Sequence, residues 1–436
     1  MEVTRTQYPI GQGCFHTGHI RWTNNSSSTS DDFHYIYDCG SSDSTAALID
    51  AIAAFRIQTT RIDALFVSHL DADHVNGIDR LLGSVSVGTV YIPYAGSVVP
   101  ILEILEADAA GALSASLIEA HMDPESWFGR RGVGRIVKVR SSPDAGPLDP
   151  EAIRRDDDDP DERPASGSKL PPKAPFDAKI GTKLTGRRGA RPQVKKMDSG
   201  DMIIANAGHR LLWALVPHVD PAPKERRRAF YQEIRSVLGL ASRQHPSADR
   251  LAGALRNKGE RKHLRNCYEQ IVSGGSIRQH NRVSMSLYSG PRDFIKNSLW
   301  IGYAAMAHSY VRAGWCLPTV PHDYWHCRQP SVGWIGAGDA TLGVQKVRAA
   351  WQRSFQPFRE QISTLLLPHH GSGRSFHSDV LDWPNLSLCV AAAGDPSQYR
   401  HPAFTVVQEV KNRGHVMHQV SQHPQSELRE VFKLQR

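Results

Sequence analysis

The stretch Ser68-His69-Leu70-Asp71-Ala72-Asp73-His74-Val75-Asn76-Gly77 decides how this chain is read. Within it, four side chains able to bind a metal (His69, Asp71, Asp73 and His74) fall inside six residues. The run before it, Ile62-Asp63-Ala64-Leu65-Phe66-Val67, is short and mostly apolar, the pattern of a buried strand. The four side chains converge only if the backbone turns, as it does between a strand and a helix. Two carboxylates packed beside two imidazoles are electrostatically awkward without a cation among them. The mixture of imidazole nitrogen and carboxylate oxygen suits zinc, manganese or iron. A polar capping loop is the competing reading, with Asp73 as the cap and His74 exposed.

Working outward, the same chemistry recurs at other expected strand ends. His34-Tyr35-Ile36-Tyr37 reads as a strand that stops at Asp38-Cys39-Gly40. Ala46 to Phe55 reads as a helix, and Thr89 to Pro93 as another strand. Ser284 to Tyr288 alternates, and Val332 to Gly336 leads into Gly338-Asp339. The apolar run Ile362 to Leu367 stops at Pro368-His369-His370-Gly371-Ser372. Asp before Gly is commonly a turn, and a single histidine is commonly structural. Acidic or imidazole residues at four successive strand ends are hard to obtain from turns alone. Strands alternating with helical patterns indicate an α/β layout.

The bulk composition sets bounds. The chain has 436 residues, 40% hydrophobic and 22% charged, the balance of a globular protein. No apolar run approaches bilayer length, so no membrane association is expected. The start, MEVTRTQYPI, lacks a basic segment followed by an apolar one, and the six cysteines are scattered without a CxxC pair. A cytoplasmic location with free thiols is the expectation. The net charge of +8 attracts polyanions, though a mildly cationic surface explains it equally.

The middle of the chain differs in character. Residues 1–140 and 281–436 read as two halves of one fold, and residues 141–280 as a charged insertion, loop-rich and then helical. The insertion holds Asp156 to Asp159, then a basic patch of Arg187, Arg188, Arg191, Lys195 and Lys196. Lys224 to Gln270 looks helical and arginine-rich. A solvated face is the ordinary reading of such charge; a nucleic-acid or protein-partner surface is the other.

Taken together, Asp38, HxDxDH at His69 to His74, Gly338-Asp339 and His369-His370-Gly371-Ser372 resemble the metallo-β-lactamase superfamily. Within it, they resemble the hydrolase domain of competence-type DNA-uptake channel proteins, as a soluble, stand-alone version. Gly11-Gln12-Gly13, Asn281-Arg282-Val283-Ser284 and His401-Pro402 extend the likeness, which spans roughly residues 9–95 and 281–420. The resemblance implies an αββα sandwich holding two divalent ions, zinc or manganese. His69 and Asp71 would bind the first ion, Asp73, His74 and His370 the second, and Asp339 would bridge. Asp38 would orient a ligand histidine. Asp71 stands where the superfamily usually has histidine, which favours a harder ion. The histidine usual between the HxHxDH motif and the bridging Asp is not evident; Asn281 occupies its place, with His280 beside it, so either one metal site is weaker or His280 supplies the ligand.

The chemistry implied is hydrolysis by a hydroxide bridging the two ions. Asp73 would position the nucleophile, and His401 or His369 would donate a proton or contact the substrate. A phosphodiesterase or nuclease acting on nucleic acid or a nucleotide is the leading expectation. A hydrolase of a carboxylic ester, lactone or thioester is the first alternative. The second is a component of a multi-protein assembly, such as a bacterial defence system, with a structural or sensory metal site and a partner bound through residues 141–280.

Overall fold

The computed structural model describes residues 1–23, 30–94, 101, 104–105, 107–108, 113–141, 176–179, 189–206, 212–219, 234–241, 244, 246–273, 283–292, 299–306, 325–329 and 331–435. The segment Asp156 to Asp159, together with Arg187, Arg188, His280 and Asn281, lies outside the described residues.

Two twisted sheets face each other. The first is built from β1 (Glu2–Gln7), β2 (Gly13–Thr23), β3 (Ser30–Ser41), β4 (Arg61–Phe66), β5 (Ser86–Pro93), β6 (Arg135–Arg140), β8 (Gln193–Asp198), β12 (Leu299–Met306), β13 (Trp325–Gln329) and β18 (Leu428–Gln435). Its order is β13-β12-β18-β1-β2-β3-β4-β5-β6-β8. The second contains β7 (Phe176–Lys179), β9 (Ile203–Asn206), β10 (Trp213–Val219), β11 (Met285–Pro291), β14 (Gly333–Gly336), β15 (Ile362–Leu366), β16 (Leu388–Ala392) and β17 (Val416–Val420). Its order is β17-β16-β15-β14-β11-β10-β9-β7.

Strand alternation explains the layers. Phe33, Tyr35 and Tyr37 of β3 and Ala64 and Phe66 of β4 point between the sheets, where they meet Trp213, Leu287, Trp334 and Val390. The intervening Ile36, Ile62 and Leu65 point outward, under helix α1 (Thr45–Gln58), helix α3 (Ile78–Leu82) and the helices Ala115–Met122 and Pro124–Arg130. On the second sheet, Ile335, Leu365, Cys389 and Ala391 face outward under the helices Gln345–Phe355 and Phe404–Asn412. Period-2 strands buried on both faces and helices buried on one stripe thus produce the expected αββα sandwich.

The insertion begins and ends elsewhere than its charge suggests. Within 141–280, β8 extends the first sheet beside β6, and β9 and β10 join the second sheet beside β11. The strands Gln193–Asp198, Ile203–Asn206 and Trp213–Val219 therefore belong to the sandwich. The arginine-rich part folds as two helices, Ala248–Arg256 and Lys258–Ser273. Leu251, Leu255 and Leu264 pack with Ile104, Leu105 and Ile118 in a small separate core. Arg261 and Arg265 both reach the buried Asp108 carboxylate, at 2.9 and 2.8 Å. Part of the arginine surplus therefore fastens the second helix to the segment that follows β5.

One consequence of the parallel pairing matters for function. β3, β4 and β5 run parallel in the first sheet, and β14, β15 and β16 in the second. The loops after β3, β4, β14, β15 and β16 therefore emerge at C-terminal strand ends, the customary place for ligand sites in such sheets.

Trp334 is buried between the sheets, stacked on His16 at 4.0 Å and edge-on to Tyr37. Trp334→Ala is expected to cost about 3–5 kcal/mol of unfolding free energy, as large-to-small core truncations do. The shift of the urea midpoint at constant slope measures it.

Candidate metal centre

β4 delivers Ser68 and His69 to the edge, and the chain then turns into a single helical turn, α2 (Ala72–Val75). Asp71 stands at the capping position but makes no side-chain capping hydrogen bond. Its carboxylate lies 3.5 Å from His69 Nε2 instead. The capping-loop reading thus fails for this segment: His74 is buried, and Asp73 points at His370 Nε2 from 3.4 Å.

Close backbone approach brings α2 to its place. A Cβ at Gly40 would lie 2.6 Å from His74 C and Val75 N, and one at Gly13 would meet the Gly40 carbonyl and the Asp73 carbonyl. Only glycine lets the ends of β2 and β3 touch this turn.

From the second sheet, the loop after β14 presents Asp339 and the loop after β15 presents His369 and His370. Both histidines have left-handed backbone, with φ of 49° and 57°, as does Asp38 with φ 59°. Non-glycine residues in that region cost on the order of 1–3 kcal/mol each and persist where their surroundings impose them. Here the reversal turns both rings inward. Ser284 Oγ accepts the Asp339 N–H at 2.9 Å, and the Gly338 carbonyl accepts the His369 N–H at 2.8 Å.

The result is a compact centre. Asp339 Oδ1 faces His74 Nε2 at 3.5 Å and His370 Nε2 at 3.7 Å. Its Oδ2 faces His69 Nε2 at 3.6 Å and His369 Nε2 at 3.5 Å. Ligand atoms of His69, His74 and Asp339 lie within 4.8 Å of one another, as do those of Asp73, His74 and His370.

The histidines are held by their other nitrogens. His74 Nδ1 contacts Asp38 Oδ2 at 2.8 Å, His69 Nδ1 contacts Ser68 Oγ at 2.9 Å, and His370 Nδ1 contacts the Ala392 carbonyl at 2.9 Å. Asp38 also accepts Ser68 N–H and Ser68 O–H, each at 2.6 Å. Partners that accept at Nδ1 leave Nε2 as a lone pair. The Nε2 atoms of His69, His74 and His370 are buried with no hydrogen-bond partner, and all three aim into the centre. Buried polar atoms ordinarily have partners. Three inward lone pairs beside carboxylates are what divalent cations would satisfy.

The electrostatics agree. Burial alone would raise the Asp339 carboxyl, but His369, His69 and His74 hold it well below the usual range. Asp73 is likewise opposed by burial and brought down to about 2 by His74 and His370. Burial would lower His74, yet Asp38 and Asp73 raise it well above its ordinary value. His69 is raised by Asp339 and Asp71 against burial and against His74. The centre demands positive charge, which protons or metal ions can supply.

His401 lies farther out, its ring 5.8 Å from that of His369. Burial, then the charge of His370, lowers it to about 4. It is neutral at neutral pH, which suits a hydrogen-bonding contact better than proton donation. Among the basic residues read from the sequence, Arg191, Lys195 and Lys196 stand at or just before β8, three strands from β4. They are no part of the centre. Ser68 and Ser284 are positioning residues that sequence reading did not single out for this role, because serine carries no metal signal of its own.

The family model of the metallo-beta-lactamase superfamily matches residues 28–100, the span from β3 through α2 to just past β5. No curated protein matches the chain. Among solved structures, a metallo-β-lactamase crystal structure from Novosphingobium pentaromativorans is 10% identical over 62% of this chain and 92% of its own, with a TM-score of 0.19. Layers, strand order and centre together define the class: a metallo-β-lactamase-type αββα sandwich with a histidine- and aspartate-lined centre suited to divalent metal. That superfamily consists mostly of metal-dependent hydrolases, and among the described residues no helix is long and apolar enough to cross a membrane.

Two outcomes are expected from zinc titrations. Asp38→Asn should weaken binding by about 10–100-fold, as loss of an orienting partner does. Affinity should also fall as pH drops from about 8 to about 6. The sign follows from the raised His69 and His74: their protons persist to higher pH and compete with the ion.

Proposed function

We propose that this chain is a dinuclear metal-dependent hydrolase whose substrates are phosphodiesters. The observation that carries the reading is the placement of Asp339, whose two carboxylate oxygens face two different pairs of imidazoles. A carboxylate so placed suits two ions rather than one. His69, Asp71 and Asp339 Oδ2 would hold the first, and Asp73, His74, His370 and Asp339 Oδ1 the second. Zinc or manganese would supply Lewis acidity and an activated water at neutral pH.

The chain's own residues do the rest. Asp38 and Ser68 fix the ring planes of His74 and His69, so the ligand set is organised before anything binds. Asp73, against His370, lies where it can orient a water for attack. His369 is about a third exposed at the mouth and close to Asp339 Oδ2. It can contact the substrate or protonate the leaving oxygen.

The same centre could cleave an ester, lactone or thioester. Phosphodiesters are favoured by the likeness to the DNA-channel branch and the surplus of +8. The ammonium groups of Lys138, which also pairs with Glu125 at 2.7 Å, and of Lys196 flank the Tyr94 ring at 5.9 and 5.8 Å. Tyr94 directly follows β5, on the edge that carries the centre. An aromatic face between two amines suits a nucleotide base and its phosphates.

The test is hydrolysis of chromogenic phosphodiester, lactam and ester substrates by metal-loaded protein. Phosphodiester turnover is expected, and Asp73→Ala and His74→Ala should each reduce it to background with far-ultraviolet circular dichroism unchanged. Wild-type turnover by purified, metal-loaded Asp73→Ala protein would overturn the assignment. With labelled DNA, apparent affinity should fall linearly on a log–log plot against salt. A flat salt response would count against a polyanionic substrate.

A further inference from the structure

A second cluster of metal-binding side chains lies on the outer face of the first sheet, apart from the centre described above. His19 of β2 and His34 of β3 are directly opposed across the strand pair. Their rings stack at 4.1 Å with planes only 11° apart. Asp32, two residues before His34 and on the same face, places Oδ1 3.2 Å from His19 Nε2. One ligand atom from each of His19, Asp32 and His34 lies within 4.8 Å of the other two. The neighbouring Phe33 and Tyr35 point into the sandwich, so the register forces these three outward together.

We propose that His19, Asp32 and His34 form a separate binding site for a late first-row divalent ion such as zinc, distinct from the hydrolytic centre. Two imidazoles and one carboxylate on one face are a ligand set that suits such ions better than magnesium or calcium. The position is built rather than incidental. The Asp63 carboxylate accepts the His34 N–H at 2.9 Å, which fixes β3 beneath the ring. Both side chains of the His19–Asp32 pair are partly shielded, at 25% and 32% exposure, yet open enough to admit an ion with its remaining waters.

Burial, then His19, brings His34 down to about 4, and burial lowers His19 as well. Both rings are therefore neutral ligands at neutral pH. Arg21 also contacts Asp32 Oδ1, at 3.1 Å, and is the competitor for that oxygen. It is nearly half exposed, and can swing into solvent while the second carboxylate oxygen remains for it.

Asp38 and His34 lie on one strand four residues apart, about 13 Å at strand rise, so the two sites cannot share an ion. A bound ion here would clip β2 to β3 on the outer face of the sheet, and would stabilise the strand that delivers Asp38 to the centre.

The experiment is zinc stoichiometry on the full chain, titrated with zinc chloride against a chromophoric chelator. Wild type is expected to take up one equivalent more than Asp32→Asn and one more than His34→Gln. Both variants should keep wild-type turnover of a small phosphodiester. Asp32→Asn is the safeguard against a folding defect, because it keeps shape at a partly exposed site. Equal zinc counts in wild type and both variants would overturn the proposal. This readout counts ions and does not depend on what the hydrolytic centre cleaves.

Discussion

The fold is organised around one electrostatic constraint: a carboxylate buried at Asp339 among imidazoles that are themselves buried. Removing a carboxylate from water is costly unless positive charge compensates it. His69, His74, His369 and His370 surround its two oxygens, and each of the first two is raised against the effect of burial by carboxylates. No arrangement of these groups alone satisfies all of them. With protons on the rings, the inward Nε2 atoms spend their donors on ion pairs of 3.4 to 3.7 Å, too long for good hydrogen bonds. With divalent ions, the same atoms become ligands and the residual charge is neutralised. The conflict is local, and the cation resolves it.

That constraint reaches into the backbone. The groups come from β3 and from the loops after β4, β14 and β15, in two sheets, so the sheets must present those ends at one edge. Parallel pairing of β3 with β4 and of β14 with β15 does so. The Met285 N–H donates to the Ser68 carbonyl at 2.7 Å, and Tyr37 Oη donates to the Met285 carbonyl at 2.6 Å. These bonds join the sheets beneath the centre and fix their spacing. Left-handed backbone at Asp38, His369 and His370 is the remaining strain, concentrated where side chains must reverse direction.

How much of this was readable in the sequence depended on how specific each residue's chemistry is. The convergence of His69, Asp71, Asp73, His74, Asp339 and His370 was readable because imidazoles and carboxylates recur at the ends of the expected strands. Asp38 was readable as an orienting group and is found on His74 Nδ1. Ser68 and Ser284 gave no signal, since their work is hydrogen bonding to Asp38, His69 and the Asp339 N–H, which serine performs in many settings without a metal. The boundaries of the insertion were misread for a different reason. β8 carries the sequence Gln193-Val194-Lys195-Lys196-Met197-Asp198 at the edge of its sheet, and of its hydrophobics Met197 is buried while Val194 is exposed. An edge strand needs little apolar sequence, so charge concealed it.

Net charge proved a weaker guide than geometry. The arginines that suggested a polyanion surface include Arg261 and Arg265, which both reach Asp108, and Arg250, which pairs with Glu260 at 2.8 Å. Those side chains hold the insertion helices in place, and a cation already sharing a carboxylate contributes little field at a distance. Lys138 also meets a carboxylate, that of Glu125 at 2.7 Å, and it matters together with Lys196 by position, since both flank an aromatic ring on the edge that carries the centre. The same +8 therefore divides into charge that builds the fold and charge placed where a substrate would pass. What separates the two is how far each cation stands from the strand ends that carry the chemistry.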